Sequence, residues 1–518
     1  MNTTIDLSFS VIGISSAIVY VLYIGLGKLL HALRARRLGC KPAFIRPSFP
    51  LGIGILKRNL DATDNQVLQI EDWKVYHELD KRSTWYQNVL GYWHHVTNDP
   101  KNVQAILATQ FNDFELGPVR KGSVAPFLGT GIFSTDGKEW QHNRALLRPQ
   151  FSRGQVADLQ LEETHVQHLF RRLPVSSDSW TDELDLMPLF FNLTLDSATE
   201  FLFGQSVHSQ SMTPSIHNEL GKKDQLDWAS FGKSFDAATV AVNARAKLMD
   251  LYYLYSPQSF KENCKEVHRF AEYYVDLALS GLPPSGHSDK KESYIFLQEL
   301  AKETRDRTEL RNQLLHILLA GRDTTAGLLG WTFYLLARHP HIYAKLREII
   351  LDRFGPVSNT SVISFESLKS CSYLQQVMSE ALRLYPIVPT NSRRCVRNTT
   401  LPRGGGADGL SPVYVRAGEE VVYNVHIMHR RKDIWGQDAD EFHPERWEGY
   451  KPGWEYLPFN GGPRICLGQQ FALTEAGYVT VRLLQKFDRV ENLDKSTVTK
   501  QRSATATPVK LLLRLHEA

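Results

Sequence analysis

Apolar positions recur along most of this chain at the three- and four-residue spacing of helices. The clearest case runs from Thr308 to Arg338, with the capping residue Asp306 before it and Pro340 after it. Residues 399–426 depart from this spacing and favour β-strands. The pattern alone therefore predicts a mostly helical protein with one β-rich insertion.

An uncharged run stands at the N-terminus, because no charged residue lies between Asp6 and Lys28. As a helix, residues 7–27 would span about 30 Å, the thickness of a bilayer core. Basic residues follow this run, and the positive-inside rule then places the downstream chain in the cytosol. A cleaved signal peptide is the alternative, but it needs a basic segment before the apolar run, where this chain has Asp6.

The rest of the chain reads as one large domain, because no long Pro-, Ser- or Gly-rich linker divides its 518 residues. Hydrophobic residues make up 42% of the chain, which is ample for a large core. The formal charge of +4 is small for this size and gives no support to nucleic-acid binding. The sequence predicts a lumenal tail (1–6), a transmembrane anchor (7–27), a basic and proline-rich hinge (28–50) and a globular domain (51–518).

The cysteines indicate a reducing compartment, because there are five of them, scattered and without a Cys-x-x-Cys pair. Cys466 differs from the others, since it stands just before a helical pattern that begins at Gln469. Backbone N–H groups at a helix N-terminus favour a thiolate, and the surrounding glycines allow close approach of a flat partner. With Arg464 two residues earlier, this arrangement describes a haem-ligand site, whereas an inert buried cysteine is the ordinary alternative.

The middle of the long predicted helix is unusual in composition. Gly321 and Gly327 each cost about 1 kcal/mol against alanine, so another interaction must offset them. Between them, Asp323 and Thr324 place an acid beside a hydroxyl, a pair suited to relaying protons to bound dioxygen. Small residues that merely allow close helix packing are the alternative interpretation.

Together these segments resemble the cytochrome P450 family. Phe459, Gly462, Arg464, Cys466 and Gly468 match every fixed position of its Phe-x-x-Gly-x-Arg-x-Cys-x-Gly pattern. The resemblance covers the chain from about residue 50 onward. It implies a cytochrome P450 fold, mainly α with small β-sheets, and a haem b whose iron takes Cys466 as axial thiolate. Asp323 and Thr324 match the family's acid–alcohol pair.

Further motifs carry the resemblance beyond the cysteine segment. Glu380 and Arg383 match its Glu-x-x-Arg motif, which Arg446 completes, and the resemblance gives this trio a structural role. Trp140 and Arg144 match its Trp-x-x-x-Arg helix, from which both side chains would reach a haem propionate. Arg393 and Arg464 are further propionate candidates. The histidines lack the spacing of a metal cluster and are expected at the surface or at helix ends.

A narrower resemblance concerns the segments 319–329, 401–413 and 428–435, which look like those of the fungal cytochrome P450 family that hydroxylates alkanes and fatty acids. It implies a single-pass enzyme of the endoplasmic reticulum membrane, with its catalytic domain in the cytosol. It also implies electrons from NADPH, delivered by NADPH–cytochrome P450 reductase, and hydroxylation of a long aliphatic chain. Oxidation of a polyketide or another lipophilic secondary metabolite is the alternative within the class.

Two alternatives lie outside the monooxygenase class. A haem-thiolate isomerase or dehydratase would need no reductase and has little use for Asp323 and Thr324. A non-catalytic haem or membrane protein would tolerate the loss of that pair, which is intact. Substrate contacts are expected from residues 119–133, 231–255, 387–391 and 505–508, with Arg245 and Lys247 as candidate partners of a substrate carboxylate.

Overall fold

The structure is a computed structural model that describes residues 25–151, 159–211, 228–281, 294–494 and 505–518, together with 15, 19, 22, 23 and 496. Residues 25–37 are helical. The further α-helices are α1 (Ile53–Asp64), α2 (Leu68–Glu78), α3 (Pro100–Gln104), α4 (Pro118–Leu128), α5 (Gly137–Leu147), α6 (Leu159–Arg171), α7 (Leu186–Phe203), α8 (Trp228–Lys247), α9 (Gln258–Ser280), α10 (Phe296–Glu303), α11 (Arg307–Arg338), α12 (Pro340–Phe354), α13 (Phe365–Lys369), α14 (Ser372–Leu384), α15 (Val425–Met428), α16 (Lys432–Trp435) and α17 (Gln469–Lys486).

In the described part of the chain, the strands form three small sheets. They are β1 (Thr84–Val89), β2 (Tyr92–Thr97), β3 (Phe114–Glu115), β4 (Leu184–Asp185), β5 (Thr390–Cys395), β6 (Thr399–Gly405), β7 (Ser411–Val415), β8 (Glu420–Asn424), β9 (Phe487–Asn492) and β10 (Leu512–Glu517). One sheet has the order β1-β2-β8-β5-β3, in which only β2 and β8 pair in parallel. The others have the orders β4-β10-β9 and β6-β7. The architecture is mainly α with small β-sheets, and the predicted β-rich insertion corresponds to β6, β7 and β8.

Helix α11 forms the centre of the core, because it is buried on nearly all sides and packs against α7, α9, α14 and α17. Asp306 caps its first turn, accepting from the backbone N–H groups of Thr308 and Glu309. A Cβ at Gly327 would lie 2.9 Å from Cγ2 of Thr507. Close packing against Thr507 therefore compensates for the lower helix propensity of glycine at position 327. This agrees with the alternative that small residues in α11 allow close helix packing.

The predicted anchor, residues 7–27, lies mostly outside the described residues. Within the part of the chain that the structure describes, no helix combines the length and apolar character needed to cross a membrane. The helix at residues 25–37 carries exposed apolar side chains, including Leu26, Leu29 and Leu33.

Candidate functional site

One internal cavity brings most of the predicted site residues together. It lies between the middle of α11 and the segment before α17, and the space open to the centres of water molecules is about 290 Å³. Predicted site residues that line it are Trp140, Arg144, Thr324, Arg393, Phe459, Arg464, Cys466 and Gly468. Asp323 does not line it, and Glu380, Arg383 and Arg446 lie elsewhere.

The loop before α17 holds Cys466 at the cavity wall. The Cys466 backbone N–H donates to the carbonyl of Phe459 at 3.0 Å and closes the loop. Gly462 has a φ of 64°, and a Cβ there would collide with the Leu107 carbonyl oxygen, so only glycine fits. Gly468, by contrast, has an ordinary φ of −87° and would meet Phe151 at 3.7 Å. Its small size leaves room on the cavity side.

The Cys466 side chain is open to this cavity, although the cavity itself lies inside the protein. Burial raises the pKa of the Cys466 thiol, while the Gly468 backbone N–H and the Arg144 guanidinium act in the opposite direction. The Gly468 backbone N–H thus acts in the direction that the sequence argument predicts, although burial has the larger effect on the pKa of Cys466. A metal cation bound to the sulfur would supply the missing positive charge.

Three guanidinium groups converge on one side of the cavity. Arg120 Nη2 donates to Asn391 Oδ1 at 2.7 Å, and Arg393 Nη1 donates to the same oxygen at 3.2 Å. Arg464 Nη2 binds Asp136 Oδ1 at 2.7 Å, while Arg464 Nη1 is buried without a hydrogen-bond partner. Burial, together with mutual repulsion within this cluster, lowers the pKa of Arg120 and lowers that of Arg464 to about 10. The cluster therefore has capacity for additional anionic groups.

Trp140 continues this wall of the cavity. The Arg464 guanidinium lies 4.4 Å from the centroid of the Trp140 ring, and that of Arg144 lies 5.8 Å away. Burial lowers the pKa of Arg144, and the charge of Cys466 opposes that effect. The helix α5 thus presents an indole and a guanidinium one turn apart to the same cavity.

These residues fit a haem b. A soft thiol at one wall suits iron, and a cluster of guanidiniums with an unpartnered buried N–H suits two propionates. Arg120 had not been predicted as part of this cluster. Arg120 lies in residues 119–133, whose side chains were expected to contact substrate. The pairing of β5 with β8 in the sheet places Asn391 and Arg393 beside it.

Helix α11 contributes Thr324 and Gly321 to the cavity lining. The Thr324 hydroxyl donates to the carbonyl of Ala320 at 2.6 Å, as expected for a threonine inside a helix. Asp323 instead points towards Arg322, with 3.6 Å between Oδ1 and Nη1. The structure therefore places the alcohol, but not the acid, of the predicted pair at the cavity.

Arg322 connects α11 to a second helix. Its guanidinium also forms an ion pair with Asp236 on α8. The Arg322 side chain is buried, whereas Asp236 is largely exposed. The charged residue inside the glycine-rich part of α11 thus ties α8 to the helix that carries Thr324.

Glu380 is the centre of a separate buried cluster. It accepts two hydrogen bonds from Arg383, both at 2.8 Å, one from Arg446 at 3.3 Å and one from the Trp447 indole at 3.0 Å. Arg383 also binds the carbonyls of residues 429, 439 and 441, so the cluster anchors the segment after β8. His429, fixed in this way, accepts from the Leu457 N–H at 2.8 Å and so connects the cluster to the cavity wall.

The expected substrate segments contribute unequally. Residues 119–133 and 387–391 do line the cavity, through Ile132, Phe133, Ile387 and Val388. None of residues 231–255 or 505–508 does, and Ala506 instead donates its N–H to the Ile387 carbonyl. Helix α7 contributes lining side chains that sequence reasoning missed, because a helix far away in sequence gives no local signal.

Arg245 is not a carboxylate partner in the described structure. Its guanidinium donates to the backbone carbonyls of Gly122, Ser123 and Tyr255. It therefore joins α8 to α4, away from the cavity. Lys247 lies near Asp64 and likewise does not line the cavity.

The expectation that the histidines lie at the surface or at helix ends is wrong for His316, and also for His94 and His95, which are buried on β2. His316 is fully buried on α11, and burial lowers its pKa to about 4. Its Nδ1 accepts from the Phe133 N–H at 3.3 Å, and the two rings stack at 5.5 Å. Among the described residues, no group of His, Cys, Asp and Glu side chains is arranged to hold a metal ion.

Comparisons with known proteins show the family of this chain. The model of the family described as "Cytochrome P450" matches residues 66–513. The chain is 52% identical over 492 residues to "Cytochrome P450 monooxygenase g430" of a Fusarium species, covering 92% of this chain and 85% of the relative. It is 49% identical over 421 residues to "Cytochrome P450 52A13" of Debaryomyces hansenii, covering 81% and 80%. It is 44% identical over 477 residues to "Cytochrome P450 monooxygenase alt2" of Alternaria solani, covering 89% and 88%.

Proposed function

Because the chain belongs to the cytochrome P450 family and is a monooxygenase of that family, we propose that it inserts one oxygen atom from O2 into a C–H bond of a long aliphatic substrate. A long-chain fatty acid or an alkane is the substrate class proposed. Electrons come from NADPH through NADPH–cytochrome P450 reductase. The resemblance of residues 319–329, 401–413 and 428–435 to the fungal alkane- and fatty-acid-hydroxylating family supports this choice.

The observation that carries the proposal is the chemistry of the cavity wall around Thr324. Ile132, Phe133, Ile317 and Val388 line the cavity together with the threonine, and none of the described lining residues is acidic. Such a wall favours an apolar substrate, because it offers hydrophobic contact and few hydrogen-bonding groups to satisfy a polar one.

When bound, haem supplies the reductive activation of O2. The chain's own residues provide the environment: Cys466 would hold the iron, and Arg120, Arg393 and Arg464 would hold the propionates. The Thr324 hydroxyl lies at the cavity wall and donates its hydrogen to the Ala320 carbonyl, so its oxygen can accept a hydrogen bond from the reacting centre. The apolar side chains exclude water and hold the substrate carbon chain.

We also propose attachment to the endoplasmic reticulum membrane through residues 7–27, with the catalytic domain in the cytosol. The charge pattern supports this topology, since Lys28 and several arginines follow the uncharged run. The exposed leucines of the helix at residues 25–37 support contact of its surface with lipid.

A substrate titration combined with turnover tests the proposal. The purified enzyme is titrated with a long-chain fatty acid, an alkane of equal carbon number and an aromatic polyketide, and the haem absorption spectrum reports binding. Each compound is then incubated with reductase, NADPH and isotopically labelled O2. We expect the aliphatic compounds to shift the spectrum and to yield products that carry one labelled oxygen.

The contrary results are distinct. Binding and oxidation of the polyketide alone would replace the aliphatic proposal by secondary-metabolite tailoring. Turnover without NADPH or reductase would contradict the monooxygenase reaction and favour a haem-thiolate isomerase or dehydratase.

A further inference from the structure

One part of the cavity wall is a loop that follows α4. This wall loop, residues 129–135, contributes Ile132 and Phe133 to the cavity lining. The Gly131 carbonyl closes the loop on itself, because it accepts from the backbone N–H of Thr135 at 3.1 Å and from its hydroxyl at 2.8 Å. The loop therefore has internal order, and the position of its two lining side chains depends on how it is attached to the rest of the protein.

Three buried polar residues of α11, Asn312, Gln313 and His316, attach the wall loop. Their spacing of three and four residues puts them on one side of the helix. Asn312 Nδ2 donates to Thr130 Oγ1 at 3.3 Å. Gln313 Nε2 donates to Asn143 Oδ1 on α5 at 2.5 Å, and the amide of Asn143 in turn donates to the last residue of the loop at 3.0 Å.

His316 contacts the lining residue Phe133 in two ways. Its Nδ1 accepts from the Phe133 N–H at 3.3 Å, and the two rings stack with their centroids 5.5 Å apart and their planes at 24°. Because burial lowers the pKa of His316 to about 4, the imidazole is neutral near neutral pH and Nδ1 remains an acceptor. One buried side chain thus fixes both the backbone and the ring of Phe133.

The backbone of the wall loop also lies directly against these side chains. A Cβ at Gly131 would lie 2.6 Å from Cδ2 of His316, and a Cβ at Gly129 would lie 2.2 Å from Oδ1 of Asn312. Glycine at these two positions lets the loop approach α11 closely. Since a closely packed interior leaves side chains little freedom, the position of Phe133 follows from that of His316.

We propose that His316 is a positioning residue that determines which substrate shapes the cavity accepts, and that it acts through Phe133. By holding the N–H and the ring of Phe133, it keeps this part of the wall from yielding to a branched or broad guest. The apolar lining selects for hydrophobic guests, whereas His316 limits their width. For the natural substrate, this inference rests on the proposed function and deepens it.

Hydrogen–deuterium exchange of the haem-loaded enzyme tests the positioning without turnover. His316→Phe keeps a ring of similar size but leaves the Phe133 N–H without its acceptor, so this amide should exchange several-fold faster. His316→Asn keeps an acceptor near the position of Nδ1 and should restore much of the protection. His94→Phe, the same change at a buried histidine of β2, is the control and should leave the exchange unchanged.

Two imidazole probes test the selection itself. An imidazole nitrogen binds haem iron and shifts its absorption, so N-octylimidazole and an isomer with a branched octyl group report how well each tail fits the cavity. The wild type should bind the linear probe more tightly. The ratio of the two dissociation constants should fall several-fold in His316→Phe and in Phe133→Ala, and no further in the double variant, because His316 acts through Phe133. His316→Asn should recover much of the ratio, and His94→Phe should keep it.

The contrary results are specific. Wild-type exchange of the Phe133 amide in haem-loaded His316→Phe would overturn the positioning. A wild-type ratio in that variant, additive effects in the double variant, or equal binding of both probes by the wild type would refute the role in selection. If His316→Phe takes up no haem, His316→Gln, which moves the polar end of the side chain away from the position of Nδ1, replaces it in both experiments. If the wild type oxidises no aliphatic compound, the proposed function fails while the exchange and the probes still decide the role of His316.

Discussion

Replacement of Glu380 by glutamine should destabilise the fold far more than the same change at the surface. Glu380 and Arg383 are both fully buried, and the carboxylate accepts from Arg383, Arg446, Trp447 and the His443 N–H. Glu380→Gln removes the negative charge and leaves the Arg383 guanidinium buried without its ion-pair partner. Removing one partner of a buried pair costs about 3–5 kcal/mol, so we expect a loss of at least about 3 kcal/mol.

The matched control is Asp276→Asn, which makes the same carboxylate-to-amide change in an exposed ion pair. Asp276 binds Arg307 through both carboxylate oxygens, at 2.7 and 2.9 Å, but about half of each side chain is exposed. Exposed pairs contribute about 0–1 kcal/mol. The two variants therefore have similar hydrogen-bond geometry and differ mainly in burial.

Urea unfolding followed by circular dichroism measures both variants, and the rate of haem loss at a fixed urea concentration provides a second reading. Glu380→Gln should also lose haem faster, because the cluster holds His429, which binds the Leu457 N–H at the cavity wall. If the two variants differ by less than about 1 kcal/mol, the assignment of Glu380 as a buried structural anchor is wrong.

Three further predictions concern single groups. Arg120→Gln should weaken haem binding by about 10- to 100-fold in a haem-transfer assay, because a charged hydrogen bond is lost. Arg394→Gln should not weaken it, because Arg394 pairs with Asp250 and does not line the cavity. Thr324→Ala should uncouple NADPH consumption from product formation, and Thr324→Ser should restore coupling; parent-level coupling in the alanine variant would remove Thr324 from its role. Burial raises the pKa of Asp72 from 3.8 to about 6, so stability is lost as the pH rises between those values and stays lower above pH 6. In Asp72→Asn the free energy of unfolding should no longer fall by about 3 kcal/mol between pH 4 and 6. If its pH dependence is the same as in the wild type, the raised pKa of Asp72 is wrong.

The sequence was sufficient to predict site residues that lie together in one short segment. The position of Cys466 before a helix and the glycines around it are local features, so the loop geometry follows from them. The helix α11 was equally predictable, because its cap and its following proline stand next to it in sequence.

Features that depend on distant packing were not predictable. Arg120 becomes a candidate propionate partner only when α4 meets β5, and Arg245 binds backbone carbonyls because α8 crosses α4. The burial of Glu475 depends on the packing of α17 against α6 and α11. A glutamate in an amphipathic helix carries no local sign that it will be buried.

The carbon monoxide difference spectrum of the reduced enzyme tests the central claim most directly, that Cys466 is the proximal ligand of a haem-thiolate monooxygenase. The wild type should show the red-shifted band characteristic of thiolate-ligated haem, and so should Cys40→Ala, a matched change at a cysteine away from the cavity. Cys466→Ala should lose that band while the protein remains folded. Retention of the band in Cys466→Ala would contradict the account, because the thiolate would then come from another residue.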